Sequence, residues 1–294
     1  MSEEEKKMAL ALRKWALQKV FGPALTEIEE DLRKLYAKGR DKLILAAYRK
    51  VRNPDDGKQA NLRVMRDVLW NGAFSEDEVC AEYFGGILAS SRSKDGKDDD
   101  AIQFVDVIKS LAAKQLHLHY VIYNSLNKVL LAAGKPVNVA LSTEIKPKQV
   151  WFSSTELVHD LGLRLEADLN ILHRQGLLDQ YHTYSHRPGE KEQARYYTVA
   201  NPTTFGVLLY AASHNRLDEW RTFDQQDFGN FPEIALPAVY APTLDELLKK
   251  AGLVGATAPS RPEMTANQTL QPTAPRRDVF DVETHEHTGE FKEW

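Results

Sequence analysis

The chain has 294 residues, 42 acidic and 38 basic, for a formal net charge of −4 with 27% of its residues charged. That length allows about two domains with a sizeable core, and the charge balance lacks the global basic excess of an obligate nucleic-acid binder. The single cysteine, Cys80, excludes an internal disulfide and a thiolate metal cage, which points to a reducing cytoplasm.

The start, MSEEEKKMALALRK, is acidic before it is basic and holds no apolar run of signal-peptide length, so no export signal is expected. Met8, Leu12, Trp15 and Ala16 fall on one stripe of a helix over residues 2–21. After Gly22 and Pro23 a second helix follows, with Thr26 and Glu29 spaced as a capping box and Glu27, Glu30 and Asp31 in its first turn. Residues 33–52 then hold eight basic side chains and one acid, Asp41. On one continuous helix Lys34, Lys38, Lys42, Arg49 and Arg52 share a side, opposite Leu32, Leu35, Tyr36, Leu43 and Val51. These cations are candidate contacts to phosphates or an anionic membrane surface. The alternative is a solvated face opposite a core stripe, with Gly39 as a break point.

Residues 53–57 read as a turn, followed by a helix from Gln59 to Trp70. Ser75 and Glu78 are spaced to cap the next helix, in which Val79, Tyr83, Phe84, Ile87 and Leu88 share a face. Gly85 and Gly86 inside it each cost roughly 1 kcal/mol, which implies that another backbone packs closely there. A charged loop spans 93–100, Ile102, Val105 and Ile108 begin another helix, and an apolar-periodic segment from Ser110 to Ala133 ends at Gly134 and Pro136. Asn124, Asn127 and Lys128 interrupt its most apolar part, which is also shorter than the roughly 20 residues of a transmembrane segment.

Phe21-Gly22-Pro23, the acidic turn Phe74 to Glu78 and the helix Tyr83 to Ala89 carry a family resemblance. From Val20 to about Tyr123 the chain resembles the Abi-alpha-like proteins, whose bacterial members are linked to abortive infection, the sacrifice of a cell that blocks a phage. Where those proteins usually place a tryptophan and an asparagine in the buried helix, this chain has Phe84 and Gly86. The resemblance implies a helical core and a role in antiviral defence.

Val137 to Lys148 reads as a polar linker. Beyond it, Ser153 with Glu156 caps a helix ending at Gly162, a second helix runs from Leu165 to Gln175, and strands Leu178–Tyr184 and Ala194–Val199 flank the turn at 186–189. Helix, helix, strand, turn, strand is winged-helix order, and residues 205–210 resemble its closing helix. Such a module suggests DNA, with Arg187 and Lys191 of the wing on phosphates. Residues 151–215 hold five basic against seven acidic side chains, a net −2, and the would-be recognition helix carries Glu166 and Asp168. A structural or protein-contacting use of the module is therefore favoured over DNA binding. Residues 216–240 read as an irregular arm, Thr243 and Glu246 cap a short helix to about Ala251, and 255–294 reads as a disordered tail. In that tail Val279, Phe280, Val282 and Trp294 are candidate partner-docking residues.

Chemistry-bearing motifs are sparse. His117 and His119 point to different helix faces, His182 and His186 fall on a strand and its turn, and His285-Glu286-His287 sits in the tail. In the acid-rich loop, the sixth and twelfth EF-hand positions from Asp95 hold Asp100 and Asp106 rather than glycine and glutamate. No GxSxG, GxGxxG or P-loop occurs, and Cys80 lies in a helix beside Val79 and Ala81. No catalytic, cofactor-binding or metal-binding residue is therefore assigned.

The expected fold is mainly α: a multi-helix bundle core over 1–136, a small winged-helix-like α/β module over 150–215, an arm with a short helix over 216–254, and the tail. The expected function is a non-enzymatic phage-defence component acting through protein–protein contacts, with another defence protein or a second copy as partner. Alternatives are a winged-helix DNA-binding transcriptional regulator and a membrane-surface effector.

Overall fold

A computed structural model describes residues 37–73, 77–186 and 193–253, with side chains from Gly39 onward. The helices expected before residue 37, the cap at Ser75 and the tail lie outside the described residues. The described chain is mainly helical with a small antiparallel sheet. Five helices come first: α1 (Ala37–Lys50), α2 (Leu62–Gly72), α3 (Glu78–Ser90), α4 (Ile102–Lys109) and α5 (Ala113–Ala133). Two short strands, β1 (Gln59–Ala60) and β2 (Arg92–Ser93), pair among them.

Helix α3 is buried along its whole central run, Val79 to Ala89, because its sequence is apolar on nearly every side, Glu82 excepted. It packs against α1, α2, α4, α5 and a later helix, α9 (Thr204–Ser213). The two glycines allow this, as expected from the sequence. Gly85 meets the backbone of α1 at Leu43 and Ala47, and Gly86 meets the carbonyl of Ser213 at the end of α9.

Helix starts differ from the sequence reading where a polar side chain competes for the backbone. Residues 59–60 form β1 rather than a first helical turn, and Asn61 caps α2 by accepting from the Arg63 and Val64 amides at 2.9 and 3.1 Å. Asp77 caps α3 through the Val79 amide. Helix α5 begins at Ala113, three residues after Ser110, where the Gln115 side chain accepts the Ala112 amide at 2.9 Å. It ends at Gly134 in the left-handed region, φ 59°.

The second half holds α6 (Ser142–Ile145), β3 (Val150–Ser153), α7 (Ser154–Leu161), α8 (Leu165–Arg174), β4 (Leu178–His186), β5 (Arg195–Pro202) and α9. A 3-10 helix (Leu217–Thr222), β6 (Tyr240–Ala241) and α10 (Leu244–Lys250) follow. The sheet order is β4-β5-β3-β6, antiparallel throughout, with Phe152 opposite Thr198 and Tyr240. The span read as a polar linker contains α6 and buries Val137, Val139 and Ile145, so it is a packed connection. Among the described residues no helix is long and apolar enough to cross a membrane.

A smaller cluster gathers Trp151, Tyr197, Val199, Ala241, Leu247 and Leu248, and the main hydrophobic core runs from Leu43 to Phe231 through both halves. Helix α5, about 30 Å long at 1.5 Å per residue, is its shared wall, touching α3, α7, α8, α9 and β3. Its buried polar side chains fasten the segment after α9. Asn127 donates to the carbonyls of Phe223 and Gln226 and accepts the Phe228 amide, while the Tyr120 hydroxyl accepts the Phe231 amide at 2.9 Å. Phe223, Phe228 and Phe231 are thereby buried. Asn127→Ala removes three hydrogen bonds to the backbone at once and orphans two buried groups, the Phe223 carbonyl and the Phe228 amide, so an expected loss of about 2–4 kcal/mol follows from the desolvation of such groups. Urea unfolding measures it, and amide exchange should accelerate first at residues 223–231. A variant within 0.5 kcal/mol of the parent, at the scale of ordinary surface changes, would mean that Asn127 does not clamp this segment.

Candidate functional site

Of the basic segment, Lys34 and the Lys38 side chain lie outside the described residues. The α1 helix runs through Gly39 without a break and ends at Lys50, so Arg52 lies past it. Lys42 pairs with Glu78, Arg49 and Lys50 both pair with Glu82, and Arg52 reaches Glu219 at 2.9 Å. Glu82 is only 4% exposed. A carboxylate that deep requires partners, and two cations from α1 supply them. Burial pushes the Lys50 ammonium down to about 8 despite the opposing pull of Glu82. Its Nζ also lies 4.6 Å over the Phe231 ring. In this arrangement the cations tie α1 to α3 and to the 3-10 helix.

A polar cavity of about 240 Å³ opens at the end of α1, lined by Arg52, Arg92, Arg216, Asp56 and Glu219 among others. Arg92 pairs with Asp56 at 2.7 Å and Arg216 with Glu219, so the guanidiniums here face acids of the same chain.

The larger opening lies in the second half. Ser153 caps α7, Gly162 turns the chain at φ 60°, and α8 starts at Leu165. Asp168, on the first turn of α8, is fully buried. It accepts from the Gln115 side chain at 2.9 Å and the Arg164 amide at 2.8 Å, with Lys114 at 3.1 Å. Burial works against its charge, but these hydrogen bonds outweigh it and hold the carboxyl below its ordinary range. Asp168 therefore faces α5 and leaves Glu166 as the acid on the exposed face of that turn.

Between α7, the start of α8 and the β4–β5 hairpin lies an open groove of about 690 Å³. Val158, Leu165, Ala167 and Tyr196 give it apolar walls, and Arg164 and Glu166 stand at its edge. Val158 is 42% exposed and Tyr196 51%, and both line this one groove, which makes them a patch rather than isolated exposed side chains. Deeper in, Ser154 and Thr198 share a hydrogen bond of 2.7 Å. The wing residues Arg187 and Lys191, and Val279, Phe280, Val282 and Trp294 of the tail, lie outside the described residues.

Among the described residues no group of three His, Cys, Asp or Glu side chains is placed to hold a metal ion. Cys80 is buried. A buried polar cluster left little sign of itself in the sequence. His119 Nδ1 shares a hydrogen bond of 2.5 Å with the Tyr83 hydroxyl, and its ring stacks on Tyr123 at 4.5 Å. His214 stacks on Phe231 at 4.5 Å. Desolvation holds both imidazoles down to about 3, so both are neutral near pH 7. Helical spacing carried the signal for His119, which shares its face with Leu116 and Tyr123; His214 follows the end of α9 and has no such periodicity.

No family model, curated protein or solved structure matches this chain.

Proposed function

We propose that this chain is a non-enzymatic component of bacterial phage defence, of the Abi-alpha-like kind, which works in the cytoplasm through protein–protein contacts, with another defence protein or a second copy as partner. The resemblance of residues 20–123 supports the defence part. The contact part is carried by one observation: Val158 and Tyr196 stand exposed beside an open apolar groove. Exposed apolar surface rimmed by polar groups is a common mark of an interaction site, and aromatic side chains are enriched where proteins meet.

The test is affinity purification of the tagged chain from bacterial cells with and without phage infection, in parallel with a Val158→Asp, Tyr196→Glu variant. The expected result is a stoichiometric protein partner whose recovery drops at least about tenfold in the variant, as befits a hot-spot loss above 1.4 kcal/mol. Specific DNA recovered with no protein overturns this reading.

That outcome would favour a second one, a winged-helix DNA-binding regulator, to which the order α7, α8, β4, β5, α9 lends support. It predicts binding that falls steeply with salt and weakens in an Arg187→Glu, Lys191→Glu variant.

A further inference from the structure

Three features of the groove bear on what fills it. Its walls are apolar, an aromatic ring stands exposed at its edge, and its two charged side chains among the described residues are of opposite sign, Arg164 at the N-cap of α8 and Glu166 in its first turn. A phosphate-bearing or otherwise single-sign partner would satisfy one of these charges and repel the other. A second copy of the same face satisfies both. In a two-fold contact residue i meets j and j meets i, so Arg164 faces Glu166 of the second copy, twice over. The same symmetry gives each copy both a cleft and a half-exposed ring, Tyr196, to place in the other cleft.

We infer that the α7–α8–hairpin face is a self-association surface, on which two copies of this chain pair about a two-fold axis with Tyr196 in the opposing groove and Arg164 against Glu166. The inference rests on the reading of this groove as a protein-contact site and names its partner.

The experiment is sedimentation velocity of the full chain over roughly a hundredfold range of concentration, wide enough to cross a dissociation constant. It compares the parent with Tyr196→Glu, Arg164→Glu, Glu166→Arg and the double charge swap, each first checked for parental melting. A concentration-dependent dimer is expected. Tyr196→Glu should weaken it about tenfold or more by placing a charge in the opposing apolar cleft, and each single charge reversal should do the same because like charges then meet across the axis twice. The double swap should restore it. A chain that stays monomeric, a dimer indifferent to all four variants, or a double swap no better than the singles overturns the pairing. A monomeric chain that still captures a different protein through Val158 and Tyr196 overturns the pairing and leaves the contact reading standing.

Discussion

Gly86→Ala is expected to lower stability by about 3 kcal/mol or more, the upper range for forced overpacking of a core. A Cβ at position 86 would stand 1.9 Å from the Ser213 carbonyl oxygen, 2.2 Å from its carbon and 2.6 Å from its Cα. These are backbone atoms at the end of α9, so no side-chain rotation relieves the clash and the two helices must separate. Separation is costly because α3 is packed on its other sides by α1, α2, α4 and α5. The general gain of Ala over Gly in a helix, about 1 kcal/mol, is too small to offset it. Thermal unfolding should show a fall of about 6–12 °C at 2–4 °C per kcal/mol. A variant that melts with the parent would mean that α3 and α9 are not in backbone contact.

Acidification from pH 7 to pH 5 is expected to remove about 4 kcal/mol through His119 and His214 alone. Both are neutral in the folded chain, held down to about 3 from the usual 6.5 by desolvation, with Lys50 and Arg216 further opposing charge on His214. A folded pKa below the unfolded one means that the unfolded chain binds more protons between those values, so stability is fully present above pH 6.5 and is lost as pH falls. At pH 5 each ring contributes about 2 kcal/mol of this loss. The groups facing His119 are the Tyr83 hydroxyl and Tyr123; those near His214 are Lys50, Arg216 and Tyr210, and none is an acid that would stabilise an imidazolium. Asp168, Glu219 and Asp227, held below their ordinary ranges by ion pairs and hydrogen bonds, add losses only at lower pH. Urea denaturation across pH 5 to 7 measures the slope, and a His119→Phe, His214→Phe variant should flatten it whatever its absolute stability. An unchanged slope in that variant would assign the acid limb to other groups.

Much of this architecture was legible in the sequence where a local rule and the tertiary fold agree. Ser153, Thr243 and Gly134 mark helix ends and do so in the structure, and the paired glycines of α3 announced a backbone neighbour. What escaped was set by distant partners. Strands β3 and β6 have four and two residues, too short for an alternation to register, and exist because β5 and β3 lie beside them. The span 137–148 looks polar, yet its few apolar side chains are buried. For the candidate groove, the sequence supplied the helix–helix–hairpin order and both charged side chains. It did not reveal that Asp168 turns inward to Gln115, nor that Val158 and Tyr196 stay exposed, because each outcome depends on residues far along the chain.

The clamp from Asn127 reaches carbonyls 96 and 99 residues downstream. On a ribosome adding about 5–20 residues per second, that side of α5 waits on the order of 5–20 s for its partners to be made. Through that interval water holds the amide while the aromatic surface beside it stays uncovered, which makes newly synthesised protein, rather than the finished fold, the form most exposed to chaperones and proteases.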